Sequence, residues 1–272
     1  MRFYAFCVYV FLYTPIAIIA LFSFSAGRSA SQLEGFSVKL YGRAVNNPFV
    51  MDALGNSIFV AFVSATLASI LGTLMAVGLQ GIRGPVRAFF DALIYIAVMI
   101  PGIVIGIATL IALVTVFDVV NPWVASFWAD AAAAPKLSMG MGSLIAAHTM
   151  FTLALVVIIV RARLSSLESA LSEASADLYA TPFGTFRQVT LPLIAPAILA
   201  GFLLSFTFSF DDFIIAFFVA GSESTLPIFI FSSIRRGITP EVNAIGTMVM
   251  VSSLILLIIA QLILRGGQTP KR

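Results

Sequence analysis

Charge is scarce in this chain of 272 residues. Asp, Glu, Lys and Arg make up only 10% of it, while 60% is hydrophobic. A soluble globular domain carries roughly 25% charged residues, so an ordinary soluble fold is excluded and the chain reads as an integral membrane protein. Cysteine is nearly missing too. The single Cys7 lies inside an apolar run, and no disulfide framework or Cys-based metal centre can be built from it. The single histidine, His148, leaves too few ligands for zinc chemistry and too few bases for a His-based triad, so no metal site is expected. No G-x-x-x-x-G-K-[ST] phosphate loop occurs, so the chain is not expected to hydrolyse nucleotide by itself. The net charge is +3, but the basic residues stand singly or in pairs at the ends of apolar runs. That is how membrane topology is written, and it argues against nucleic acid as a partner.

What the chain does have is long apolar runs. A membrane-crossing helix needs about 20 mostly apolar residues. Six runs qualify: 4–24, 53–79, 88–117, 143–160, 191–220 and 242–264. The fold class expected is therefore all-α, a single six-span domain over residues 1–272. The first run is longer than a signal-peptide core and carries Pro15 and several aromatics, so it is read as a span. Orientation follows the basic residues. With the N-terminus inside, Arg2, Arg83, Arg87, Arg161, Arg163, Arg187, Arg265, Lys271 and Arg272 are cytoplasmic. Arg28, Lys39, Arg43, Lys136, Arg235 and Arg236 are then outside. Nine against six favours both termini inside a bacterial cytoplasmic membrane. The outer connections, 25–52, 118–142 and 221–241, are expected to hold short interfacial helices, with Trp123 and Trp128 in an aromatic belt.

One long cytoplasmic connection reads RARLSSLESALSEASADLYATPFGTFRQVTLP. Leu164, Leu167, Leu171, Ala174 and Leu178 recur at steps of three and four, which predicts an amphipathic helix. Thr181–Pro182 is a helix start, with Thr as N-cap and Pro at the first helical position. Phe183, Phe186 and Val189 give the second helix a greasy side, and Pro192 is expected to end it. A hairpin over 164–190 results. Either it packs on the chain's own helices, or its small residues let another protein approach closely.

Two adjacent carboxylates, Asp211 and Asp212, interrupt the apolar stretch SFTFSFDDFIIAFFVAG at 205–221. An Asp at a span centre costs roughly 2.5–3.5 kcal/mol on insertion scales. In a continuous helix Gly201, Ser205, Ser209, Asp212, Ala216 and Ala220 share one small, polar face, with Asp211 rotated about 100° away. Such a face meets other helices or a water-filled path. This register makes Asp212, with Ser209, Ser205 and Phe208, the expected substrate pathway. It makes Asp211 a hydrogen-bonding residue that finds Thr207, His148 or a neighbouring subunit. The competing reading satisfies both acids at a helix interface. His148 is read as a bundle residue, with the pathway as its alternative. Glu223 and Glu241 either extend an acidic route outward or are solvated loop acids.

The connection resembles the EAA motif of permease subunits of type I ABC importers, in which E-A-A is followed by a Gly four positions after the second Ala and by L-P downstream. Glu173, Ala174, Leu191 and Pro192 match. Ser175 replaces the second Ala, and Tyr179 stands where the Gly is expected. The resemblance implies a six-span permease whose hairpin is a coupling helix. Glu173, Ala174, Ser175, Asp177, Tyr179, Ala180, Phe183 and Phe186 would dock on a separate ATPase subunit. It also implies a second permease that is a different chain, two ATPases that bind ATP and Mg, and an extracytoplasmic binding protein. No cofactor is expected in this chain. SFTFSFDDF, FFVAG and LPIFIFSSIRRGITPEVNAIGT are similar to the spermidine/putrescine (PotC-like) branch, which implies a polyamine or related organic cation as cargo. In VMIPGIVIGIATL, Pro101 fits a kink or gate, and Gly102 stands where that branch often has an acid. Permeases for opines or organic anions share this framework. Outside the family, a secondary transporter would use Asp212 as its ion or proton site and would show inverted repeats; none is evident. A membrane anchor would need no polar stripe.

Overall fold

Without water in the hydrocarbon layer, every backbone N–H and C=O of a spanning segment must be satisfied within the protein, and long apolar runs become helices. The computed structural model describes residues 2–27, 32–128, 130, 132–237 and 239–266. Its helices are α1 (Arg2–Phe22), α2 (Lys39–Val45), α3 (Pro48–Gly78), α4 (Pro85–Met99), α5 (Gly102–Ala125), α6 (Met141–Ser165), α7 (Ser169–Asp177), α8 (Pro182–Thr185), α9 (Leu191–Asp211), α10 (Ile214–Val219), α11 (Leu226–Arg236) and α12 (Glu241–Gly266). Extended backbone pairs among the described residues only at one bridge, Ser25 with Phe36. Arg28, Lys271 and Arg272, which entered the charge count, lie outside the described residues.

Among the described residues, five stretches are long and apolar enough to cross a membrane: α1, α3, α5, α6 and the continuous helical run Pro182–Asp211. A shorter apolar stretch, Glu241–Ile255, opens α12. Two of the six expected spans are broken in the structure. The run expected at 88–117 is two helices, α4 and α5, parted at Ile100 and Pro101, whose ψ angles are 134° and 135°. Proline has no N–H to donate and pushes its predecessor out of the α region, so the expected kink is a full break. The run expected at 191–220 is likewise α9 and α10, parted at Asp212 with ψ 121°.

The chain forms two compact units. The first comprises Met1–Asn56 and Ser224–Leu262. In it the Arg43 guanidinium lies 3.4 Å from Glu241 Oε1, joining α2 to α12. This pairing gives Glu241 a basic partner at the start of α12. The Asn56 amide donates to Ser224 O at 3.1 Å, and the Ser23 and Tyr41 hydroxyls meet at 2.6 Å. The side chains of α1 are exposed over nearly its whole length, as befits an apolar helix whose surroundings are lipid or another chain.

The second unit, Ser57–Glu223 with Ile263–Arg272, holds the core. Ala68 and Ala76 of α3, Ile94 of α4, Val156, Val157 and Val160 of α6, and Ile194 of α9 pack into one buried cluster. Val156 shows why small residues are needed. A Cβ on Gly72 of α3 would lie 2.9 Å from its side chain, and one on Gly201 of α9 would lie 3.3 Å from it. Helices in lipid associate through such close packing. Near the ends of α4 and α6, Asp91 accepts from Arg161 and lies 3.6 Å from Arg87. The charges that marked topology in the sequence thus also tie two helices together.

The hairpin differs from its expected bounds. The helix α6 continues to Ser165, and only α7 belongs to the amphipathic segment. Thr181 caps α8 as expected, its Oγ1 accepting the Gly184 N–H at 3.1 Å, with Pro182 in the first turn. Pro192 does not end the second helix. A π turn, Phe186–Thr190, in which the Leu191 N–H reaches Phe186 O, leads straight into α9. Proline cannot donate to the carbonyl four residues back and collides with it. The one-residue slip of a π turn accommodates that misfit without breaking the rod.

Candidate functional site

The break at Asp212 organises the site. Asp212 leaves the end of α9 and turns back to cap α10, its Oδ2 accepting the Ala216 N–H at 2.9 Å. Its Oδ2 also lies 3.5 Å from Nε2 of His148 on α6. His148 Nδ1 is 2.6 Å from Ser209 Oγ. Asp211, one residue earlier, is exposed, and its carboxylate accepts no hydrogen bond among the described residues. The Thr207 hydroxyl, one turn back, donates to Leu203 O at 2.9 Å instead.

These placements correct the register argument, which assumed one continuous helix. Ser205 is fully buried and Ser209 is 5% exposed. The stripe they share with Gly201 packs against α6. Ser205 and Ser209, expected in the pathway, thus lie at a helix interface and not in the lining of the acidic groove. His148 faces Asp212, not Asp211. Both carboxylates line one groove of about 540 Å³, together with Phe151 from α6 and Thr207, Phe208, Phe213 and Ile214. Phe208 was expected there. Thr207, Phe151 and Phe213 were not. The spacing of Thr207, Phe208 and Asp211 on one helical face could have found the first; Phe151 comes from another helix and left no signal.

The groove suits a cation chemically. No Lys or Arg is among its lining residues. Phe151 and Phe208 stand edge-on with ring centroids 6.2 Å apart, and the faces of such rings attract ammonium groups within about 6 Å. A second cavity of about 510 Å³, between α4, α5 and α6, is apolar apart from Thr109 and carries no charge. It offers a cation nothing. Pro101 and Gly102 stand outside the acidic groove's lining, but a Cβ on Gly102 would sit 3.9 Å from the side chain of Ile214, a lining residue. The α4–α5 break thus backs the groove wall.

A second set of candidate residues sits on the hairpin. Glu173, Ala174, Asp177 and Ala180 are exposed, Phe183 is 70% exposed and Tyr179 is 96% exposed. Ser175 is turned inward, its hydroxyl 2.9 Å from that of Thr185, so it fastens α7 to α8. Phe186 is half-buried. Tyr179 has φ 60° and is the one described non-glycine residue with positive φ. The Tyr179 N–H bonds Ala176 O and the Ala180 N–H bonds Ser175 O. That is a Schellman ending with Tyr179 at the position where glycine is preferred. The site of the missing motif Gly is left-handed, as a Gly there would require. Tyr179→Gly is expected to relieve about 1 kcal/mol of backbone strain. Hydrogen exchange of the Ala180 amide should slow about fivefold; an unchanged rate would contradict the strain.

A family model described as "Binding-protein-dependent transport system inner membrane component" matches residues 68–266. The chain belongs to this family. Among relatives of this inner membrane component, the spermidine/putrescine transport system permease protein PotC of Haemophilus influenzae is 37% identical over 96% of this chain and 95% of its own length. The putrescine transport system permease protein PotI of Escherichia coli is 34% identical over 89% of this chain and 82% of its own. A bacterial ABC transporter that imports the acidic polysaccharide alginate shares the fold, with TM-score 0.75 at 14% identity over 97% of this chain and 94% of that one. The binding-protein-dependent inner membrane component is a multi-pass membrane protein with the type I ABC importer permease fold.

Proposed function

We propose that this chain forms half of the translocation pathway of an ABC importer for polyamines such as spermidine and putrescine, and that the Asp211–Asp212 groove is where cargo ammonium groups meet carboxylate. The observation that carries this reading is the groove itself, with two acids, three phenylalanines and no basic residue. The names of the two polyamine relatives support it, and Gly102 leaves the acidity to this one pair.

The driving force would come from elsewhere. One of two ATPase subunits, which would bind ATP and Mg, would dock on Glu173–Phe186, a second permease would complete the pathway, and a binding protein would deliver cargo outside. Both termini would be cytoplasmic. The continuous helical run Pro182–Asp211 has 30 residues, or about 45 Å at 1.5 Å per residue. Closure of the ATPases at the hairpin would therefore be passed along one rod to the carboxylates, which alternating access requires.

The test is ATP-driven uptake of radiolabelled spermidine by proteoliposomes holding this chain with its ATPase, second permease and binding protein. Uptake competed by putrescine and absent without ATP is expected. An assembled complex that hydrolyses ATP yet accumulates neither polyamine would overturn the cargo assignment.

A further inference from the structure

His148 is 2% exposed and has no part in docking or in lining the groove. The structure nevertheless anchors one ring nitrogen on α9 and turns the other toward a groove residue, Asp212. Nδ1 lies 2.6 Å from Ser209 Oγ. Nε2 makes no hydrogen bond and faces Asp212 Oδ2 at 3.5 Å. When the Ser209 hydroxyl donates to Nδ1, the ring carries its proton on Nε2, the nitrogen 3.5 Å from the carboxylate. We infer that His148 is the positioning residue for Asp212: with the Ala216 N–H it engages Oδ2, leaving Oδ1 for a cationic cargo.

Imidazole suits this task better than a permanent cation. An Arg or Lys at this point would orient Asp212 equally well, but its charge would cancel the carboxylate that the cargo needs. In the tautomer above the ring is an uncharged donor that fixes direction and leaves the anion intact. Ser209, in turn, fixes the ring, which explains a polar residue on a face that otherwise packs helix on helix. Arrangements of this kind, in which one nitrogen's bond sets the role of the other, recur wherever histidine orients a second group.

The functional half of this inference rests on the cation reading of the groove; the geometric half does not. The geometric test uses the assembled complex and carbodiimide labelling of carboxylates, mapped by peptide mass spectrometry, with exposed Asp211 as the internal reference. His148→Ala should raise Asp212 labelling relative to Asp211 at least fivefold. His148→Gln, whose amide nitrogen can reach the Nε2 position, should stay near wild type. His148→Asn reaches only Ser209 and should behave like His148→Ala. In spermidine uptake, His148→Ala and His148→Asn should raise KM about tenfold with the maximal rate within twofold, and His148→Gln should restore KM. An unchanged labelling ratio in His148→Ala, or a fall in maximal rate at constant KM, overturns the inference and makes His148 a packing residue. If His148→Ala does not assemble, Ser209→Ala, which frees the ring without removing it, should still raise Asp212 labelling; failure to do so also overturns it. Wild-type complex that takes up no spermidine removes the cation reading, while the labelling still decides the role of His148.

Discussion

Asp211→Lys is expected to abolish spermidine uptake, a loss of more than a hundredfold in maximal rate over KM, with assembly intact. The carboxylate is exposed on the groove and accepts no hydrogen bond among the described residues, so its removal leaves no buried group unsatisfied. At about 6 Å and an effective dielectric constant of about 20, one charge pair is worth roughly 3 kcal/mol. Neutralisation by Asp211→Asn should therefore raise KM ten- to a hundredfold, water in the open groove screening part of the attraction. Reversal to Lys replaces attraction by repulsion and roughly doubles the loss. In a continuous helix Asp212 would rank first; in the structure both carboxylates line the groove. Asp212→Asn keeps an acceptor for the Ala216 N–H but removes a charge from the same groove, so it should raise KM by at least the tenfold expected of His148→Ala. Wild-type KM in Asp211→Lys would reduce the groove to a packing feature.

Glu173→Lys is expected to uncouple the complex, with uptake falling at least fiftyfold while the transporter remains in the membrane. Glu173 is exposed on α7, in the same hairpin as Leu178, Tyr179 and Phe183, large apolar side chains that the chain itself leaves uncovered, at 82%, 96% and 70% exposed. A patch of that kind marks a protein contact. Burying a reversed charge against a partner arranged for the original leaves two unpaired groups, a penalty of about 3–5 kcal/mol. The measurement is uptake and ATP hydrolysis on the same proteoliposomes. Normal uptake would remove the hairpin from the coupling path.

Some of this was legible locally. Thr181 and Pro182 start a helix because capping and proline geometry act within four residues, and the structure places the cap there. Tyr179 could be picked out because a motif Gly was missing at a helix end, where one left-handed residue closes the Schellman bonds. Pro101 announced a disturbance, although its size depended on what surrounds it. Nothing of the kind announced Asp212. The segment SFDDFII holds no Gly or Pro, and a continuous helix was the default reading.

By itself the sequence determined the environment, the all-helical class and the places where apolar runs start and stop, because in lipid a backbone must satisfy itself within each segment. The tertiary structure decided where that rule is suspended. The break at Asp212 can persist because neighbours take over the freed groups: the carboxylate caps α10 through the Ala216 N–H, and Ser209 holds His148 toward it. The helix α10 is in turn seated on α5 where Gly106 has no side chain, since a Cβ there would lie 2.7 Å from Phe218. These partners come from separate helices, and Phe151 joins the groove from α6. A periodicity argument follows one helix at a time. Which carboxylate is tethered and which is free depends on side chains that only packing brings together.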